Sequence, residues 1–129
     1  MKVHDDAFMA LPRGDAQLAN AVFEGTVLNP PTRYASVFPR EIRDAGRLSG
    51  PSSLLDNEYI VHSVGTSPEQ AKWVRERFLA RTVDVTPAVA GWNSRRVRHV
   101  TSQPLAIDRD VSPPLWYTVD VLAFESERL

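Results

Sequence analysis

Cysteine is absent from this chain of 129 residues. Disulfides, thiolate metal sites and thiol catalysis are therefore excluded. Folding does not depend on them, because a chain of this length can bury about two-thirds of the surface that it exposes when unfolded. We expect one domain, residues 1–129, with a single core and no internal repeat, in a reducing compartment.

Long apolar runs are also missing. No stretch approaches the roughly 18 apolar residues that a membrane-spanning helix needs. The amino terminus, "MKVHDDAFMALPRG", has charges where a signal peptide would have apolar residues. We expect a soluble protein that has no contact with membranes and stays inside the cell that makes it.

Neither sign of charge dominates, since 15 lysine and arginine residues are interspersed with 16 aspartate and glutamate residues. A dedicated binder of nucleic acid or anionic membranes would need an unbalanced basic surface. The one basic cluster is "RRVRH", residues 95–99. On a strand its charges would be divided, with Arg96 and Arg98 on one face, and no aromatic platform for bases accompanies it. We interpret it as a solvated or inter-subunit ion-pairing strand, whose partners could be Asp108 and Asp110.

The residues of a catalytic or metal site are not found together. "SVGTS", residues 63–67, lacks the further glycines and the lysine of a phosphate-binding loop. His4, His62 and His99 are not spaced as a metal motif. His62, in mid-strand, fits a structural histidine better than a catalytic base. We therefore expect no enzyme activity, no catalytic residues, no cofactor and no metal.

The hydrophobic pattern predicts an α+β domain. It has about four to five mostly antiparallel strands, with one long helix and one short amino-terminal helix packed on one face. The short helix is expected over 5–12, capped by Asp5 or Asp6, and the long helix after residue 66. The strands are expected at 21–28, 33–38, 58–64, 95–101 and 115–124, and long loops at about 39–57 and 102–114.

The long helix begins with a predicted capping box. Ser67 can accept from the backbone of Gln70, and the Gln70 side chain can reach back to Ser67. Ala71, Val74, Phe78 and Thr82 then form the face that we expect to pack on the sheet. Trp73 falls on the opposite side beside Arg77. It either lies over neighbouring surface side chains or anchors a contact with another chain.

The last predicted strand is apolar on both faces. One face, which we expect to point into the core, comprises Leu115, Tyr117, Val119, Val121 and Ala123. The other comprises Trp116, Thr118, Asp120, Leu122 and Phe124. A solvated face rarely carries tryptophan, leucine and phenylalanine together. Because the pattern predicts one long helix, we expect this second face to meet a partner.

Two stretches resemble a known family. "VHSVGTSPEQAKWVRERFLARTVD" and "GWNSRRVRHVTSQPLAIDRDVSPPLWYTVDVLAF" resemble the tail terminator proteins of long-tailed, siphovirus-type phages, particularly those of actinobacterial hosts. The resemblance covers about residues 57–125. Its most specific parts are "SVG" before a capped helix with "QAxWV", and the later "SQP…RD…DVSPPxxYxVDV". The amino-terminal third matches only the family's strand-then-loop layout.

The resemblance implies a structural, non-enzymatic role in the virion. Tail terminators form a homo-oligomeric ring, generally a hexamer, on the head-proximal end of the tail tube. They stop tube polymerisation and present the surface to which the head connector, or head-closure protein, docks. DNA passes through the bore without specific binding, and assembly takes place in the host cytoplasm. The alternatives are another head–tail neck protein, such as a head-closure or adaptor component, or a small nucleic-acid-binding module suggested by "RRVRH".

A closed ring requires two different surfaces on each subunit, which meet head to tail. The residues that we predict at these subunit interfaces combine the outward tryptophans with charged neighbours. They are Trp73, Arg77, Trp116, Asp120, Arg96, Arg98, Asp108 and Asp110. The loops at about 39–57 and 102–114 would suit docking or lining the bore.

Overall fold

The computed structural model describes residues 2–40, 43–44 and 54–129. These residues form two helices and one sheet in an α+β arrangement, which confirms the predicted fold class. In chain order the elements are α1 Lys2–Arg13, β1 Val22–Glu24, β2 Arg33–Pro39, β3 Arg43–Asp44, β4 Leu54–Gly65, α2 Pro68–Thr82, β5 Trp92–Ser94, β6 Arg98–Asp108 and β7 Leu115–Arg128.

The sheet has seven strands within the described residues. The hydrogen-bonded order is β1–β2–β4–β7–β5, while β3 also pairs with β4 and β6 also pairs with β7. Among the named strands of the described residues, β1 and β2 pair in parallel and every other pair is antiparallel. The sequence pattern predicted the longer strands and missed the short β3 and β5. The helices have 12 and 15 residues, so the expected contrast between a short and a long helix is not confirmed.

Helix α2 begins as predicted, with one change in its cap. The backbone N–H of Gln70 donates to Ser67 Oγ at 3.2 Å. The Gln70 side chain, however, accepts from the backbone N–H of Thr66 at 2.8 Å instead of returning to Ser67. The cap therefore extends one residue outward and ties the helix to the end of β4. The predicted face of the helix, Ala71, Val74, Phe78 and Thr82, is buried as expected.

Helix α1 begins earlier than predicted. It starts at Lys2, so Asp5 and Asp6 lie inside its first turns and do not cap it. Asp5 accepts a hydrogen bond from the Tyr59 hydroxyl at 2.9 Å, and Asp6 pairs with Lys2 at 2.7 Å. The Asp5 contact reaches β4, 54 residues away in sequence, and the local pattern could not show it.

The core lies between the helices and one face of the sheet. At its centre the rings of Phe8, Tyr59 and Phe124 are nearly parallel, with the Phe8 and Tyr59 centroids 4.0 Å apart. None of the three is more than 1% exposed. Such offset aromatic packing adds to the free energy gained from burying apolar surface. It joins α1 to the two central strands, β4 and β7.

The predicted loop at 102–114 is wrong over its first half, because β6 continues to Asp108. Pro104 made this part of β6 look like a loop, because proline cannot donate a hydrogen bond within a sheet and is rare inside strands. In the structure, the register of β6 against β7 is irregular between Gln103 and Ala106, which accommodates Pro104 at the sheet edge. Of the predicted loop at 39–57, residues 41–42 and 45–53 lie outside the described residues, and β4 already begins at Leu54.

The predicted orientation of β7 is reversed. Asp120, Leu122 and Phe124, which the alternation assigned to a partner-facing side, are at most 1% exposed and lie under the helices. Tyr117 and Val119, assigned to the core, are half-buried on the opposite side of the sheet. Both sides of the strand are apolar, so alternation alone could not choose between them. Contacts from α1 and α2 decide which side is the core.

Candidate subunit interface

The face of the sheet opposite the helices is apolar and rich in aromatic rings, and we name it the open face. Side chains alternate across a strand, so residues two apart share this face and pair with their neighbours across the sheet. Both helices of the described residues pack on the other side of the sheet. It comprises Tyr34, Ser36 and Phe38 of β2, Ile60, His62 and Val64 of β4, and Tyr117, Val119, Val121 and Ala123 of β7; Ser36, Val64 and Ala123 are buried and the others are half-buried.

His62 lies in the middle of the open face. It is opposite Val119 across β4 and β7, and its ring centroid lies 5.1 Å from that of Phe38 and 6.1 Å from that of Tyr117. Burial lowers the pKa of His62, because the charged imidazolium loses hydration there. The ring is therefore held neutral at pH 7 and extends an apolar surface that its charged form would interrupt.

A groove of about 600 Å³ lies at one end of the open face. Tyr34, His62 and Tyr117 contribute aromatic walls, and Asp108 and Asp110 contribute carboxylates. Val64, Ile107, Arg109 and Leu115 complete the lining. Burial, and then the negative charge of Asp108, raises the pKa of the Tyr34 hydroxyl. The two carboxylates outnumber the one guanidinium in the lining, and with the aromatic walls they favour a positively charged guest.

The two groove carboxylates have no cationic partner within the described part of the chain. Asp108 Oδ1 accepts a hydrogen bond from the backbone N–H of Asp110 at 3.0 Å, which shapes the turn after β6. Asp110 itself is exposed. The structure thus brings these two predicted interface residues together, beside the open face.

Trp73 and Arg77 lie on the other side of the subunit. Trp73 is half-buried and packs against the core, and its ring is flanked by the guanidinium carbons of Arg33 and Arg77, 3.7 and 4.6 Å from its centre. Arg77 also donates to Asp15 at 3.0 Å. The pKa of Asp15 is lowered first by the backbone N–H of Gln17 and then by Arg77. Trp73 is therefore partly covered by side chains of its own subunit, and its place in a subunit interface stays a prediction.

Asp120 is enclosed within the subunit, and its predicted position on an exposed face is corrected. Its side chain is 1% exposed and lies 3.1 Å from Arg75 Nε and 2.9 Å from His99 Nε2. Arg75 makes a forked contact, through Nε and Nη2, with this carboxylate. Trp116, on the same side of β7, is half-buried opposite Gly65. Both belong to the helix-covered side because the orientation of β7 is reversed.

The basic segment is not one continuous strand. β6 begins only at Arg98, and Val97 is completely buried. Arg95 pairs with Glu125 at 3.2 Å and Arg98 with Asp56 at 3.0 Å, so the predicted partners Asp108 and Asp110 are not used inside the subunit. Arg96 is exposed and has no partner among the residues that the structure describes.

In the described ranges, no group of three or more histidine, aspartate or glutamate side chains is placed to hold a metal ion. Across the same ranges, neither helix is long and apolar enough to cross a membrane.

The sequence reasoning missed most of the open face, including Tyr34, Phe38, Ile60 and His62. A signal was present, because "RYASVF" and "EYIVHSV" resemble the last strand in having large side chains at both odd and even positions. Three such strands side by side need cover on both faces. The predicted helices were assigned to one face, so the other was left without cover.

The comparisons with known proteins concern the fold. No protein-family model matches the chain, and no curated protein matches its sequence. Among solved structures, the fold is similar to that of a chain in the virion of native gene transfer agent (GTA) particle, with a TM-score of 0.69 and 16% sequence identity. The match covers 95% of this chain and 96% of the other. At this identity the similarity establishes the architecture only.

Proposed function

We propose that the chain is a virion structural protein, and specifically a tail terminator that forms a ring on the head-proximal end of a tail tube. The open face carries the proposal, because most of its aromatic and aliphatic side chains are only half-buried by the subunit itself. Uncovered apolar patches of this kind mark sites of protein association. The similarity to a virion chain over 95% of the sequence, and the resemblance of residues 57–125 to tail terminators, point to the same class.

The exposed edge of the sheet is a less suitable joint than the open face. An unpaired strand edge can bind a neighbouring chain through its backbone groups. In β6, however, Pro104 lacks a donor and two register irregularities interrupt the strand. Charged Arg98 and exposed His99 also make it harder for a neighbouring strand to pair with this edge. Proline, bulges and charge are the usual protections against edge pairing, so we place the main subunit contact on the open face.

A ring that closes requires the open face of one subunit to meet a different surface of the next. In this function the chain performs no reaction. The ring blocks further addition of tube subunits and offers its other side to the head connector. The net charge of −1 suits a passage through which DNA moves without being held.

The test is electron microscopy of particles assembled without this protein. Overlong tails, or tails without heads, that return to normal when the wild-type chain is supplied would support a terminator. Tails of normal length that fail to join heads would instead favour a head-closure or adaptor protein. Complete, normal particles would refute any role in the neck.

A further inference from the structure

We propose that the groove at the end of the open face receives the Arg96 side chain of a neighbouring copy of this chain. The inference rests on the proposed ring and names one contact within it. It depends on two features that lie apart in the subunit and have complementary charge. One is the acidic, aromatic groove, and the other is an unpaired arginine on a firmly held segment.

The groove has the composition of a guanidinium site. Tyr34 and Tyr117 provide aromatic surfaces, and Asp108 and Asp110 provide two carboxylates against the single guanidinium of Arg109. A guanidinium is attracted both to aromatic faces and to carboxylates, with which it can form paired hydrogen bonds. The same chain already uses the first kind of contact, where Arg33 lies over Trp73 at 3.7 Å.

Arg96 is the member of its cluster that is available to a partner. Arg95 and Arg98, on either side of it, are each paired with a carboxylate of their own subunit. The next residue, Val97, is buried, and its N–H donates to the Val85 carbonyl at 2.9 Å. The backbone on both sides of Arg96 is therefore held, so binding needs to order only the side chain and not the backbone.

The position of the two features favours contact between copies. β6 begins at Arg98, close to Arg96, and ends at Asp108 in the groove. Ten residues of extended strand separate these ends by about 30 Å. Arg96 therefore cannot reach its own groove. A head-to-tail neighbour can present one end of β6 to the opposite end of the next subunit's β6, which is the arrangement that a ring requires.

The experiment is a charge exchange in the complete assembly. Particles lacking the protein are supplied with Arg96→Glu, Asp108→Arg or both, and the fraction of tails of normal length is counted. Each single reversal places like charges together, and we expect about a tenfold loss of correctly ended tails. The double variant again brings opposite charges together, now with the negative charge at position 96 and the positive charge at position 108. We expect it to recover most of the wild-type fraction of correctly ended tails.

The matched control is Arg95→Glu combined with Asp108→Arg, because Arg95 is the adjacent arginine but already pairs with Glu125. It should show no rescue. Thermal melting of the purified variants checks that they fold, which we expect because neither side chain has an ion-pair partner in the described part of the subunit; Asp108→Arg loses only the hydrogen bond from the Asp110 backbone N–H.

Single variants that assemble as wild type, or a double variant no better than the singles, would overturn the contact. These outcomes leave the proposed function standing if the wild-type chain still restores normal tails. Normal tails in the complete absence of the protein would refute the function, and the contact with it.

Discussion

At the scale of single residues, Asp120 shows how a charge can lie in the core of this chain. Removing a carboxylate from water is unfavourable unless charged donors replace the lost hydration. Here Arg75 makes a forked contact with it and His99 makes another. The alternation of the strand placed Asp120 on the face that was expected to meet a partner. Its partners come from α2 and β6, and only the fold brings them together.

Asp120→Asn should lower the free energy of unfolding by about 2–4 kcal/mol, because it removes the charge that Arg75 and His99 face in a buried position. The matched control is Asp56→Asn, whose partner Arg98 is half exposed to solvent. That exposed pair should contribute less than about 1 kcal/mol. Urea denaturation measures the free energy of unfolding of both variants. Equal losses would contradict the prediction that the buried ion pair contributes more than the exposed one.

The stability of the subunit should fall as the pH drops below about 6.5, the ordinary pKa of histidine. Burial lowers the pKa of His4, which is 0% exposed and whose Nε2 lies 2.8 Å from Ser126 Oγ. Below that pH the unfolded chain binds a proton that the folded chain excludes, so protonation favours unfolding. Above it both states are neutral, and the contribution becomes constant.

The measurement compares the wild type with His4→Gln at pH 7.5 and pH 5.5. We expect the wild type to lose about 1 kcal/mol more than the variant over this interval. Carboxylates such as Asp15, whose pKa is lowered, become protonated only at more acidic pH, so they do not affect the comparison between pH 7.5 and pH 5.5. Parallel pH profiles for the two proteins would show that His4 is not held neutral by the fold.

At the scale of elements, the junction between β4 and α2 depends on close approach at Gly65. A Cβ atom there would lie 2.5 Å from the Gln70 Cβ and 2.7 Å from the Ala71 backbone nitrogen. The glycine of "SVGTS" thus lets the helix begin directly against the strand. Its role is steric, and it serves the packing of α2 on the sheet.

Gly65→Ala should therefore destabilise the protein by about 1–3 kcal/mol, the usual range for overpacking against atoms that cannot move freely. Gly25→Asn is a suitable control, because Gly25 has a φ of +78° and no atom lies within 4 Å of a Cβ added there. Asparagine adopts this backbone conformation more readily than most residues do. Chemical denaturation should separate the two, and tolerance of alanine at residue 65 would contradict the close contact.

The elements that the sequence predicted well are those governed by local chemistry. Helix α2 starts at its serine cap and proline, and its buried stripe repeats with helical period. β6 was predicted poorly because Pro104 resembles a loop signal and is tolerated only at the sheet edge. For the candidate interface, the pattern selected Asp108 and Asp110 beside the open face. It also selected Trp73, whose cover by Arg33 is a tertiary contact between α2 and β2.

At the scale of the whole molecule, folding and assembly should depend on opposite sides of the sheet. Val119→Thr combined with Val121→Thr adds two hydroxyls to the open face while keeping branched side chains suited to a strand. In a free subunit these hydroxyls remain hydrated, so the melting temperature should change little. In an assembled ring they would lose that hydration, at about 1–3 kcal/mol for each unpaired group. Assembly should weaken strongly.

Trp73→Ala should have the opposite effect to the open-face substitutions, because it should affect folding more than assembly. Because Trp73 packs against the core and lies between Arg33 and Arg77, its truncation should reduce the free energy of unfolding by about 2–3 kcal/mol. It should have less effect on assembly of the folded subunits. Melting curves and the count of correctly ended tails measure the two effects. A Trp73 variant that folds normally but fails to assemble would reverse this assignment and restore tryptophan as the subunit contact.

Local sequence patterns were enough to predict the α+β class, the start and buried face of α2, and the positions of the longer central strands. These follow from caps, helical period and runs of strand-forming residues, which act over a few positions of the chain. The tertiary structure decided which side of β7 became the core, where Asp120 found its partners and which apolar face was left open. Those outcomes depend on side chains distant in sequence. When a strand is apolar on both faces, its own alternation does not show which face will be buried.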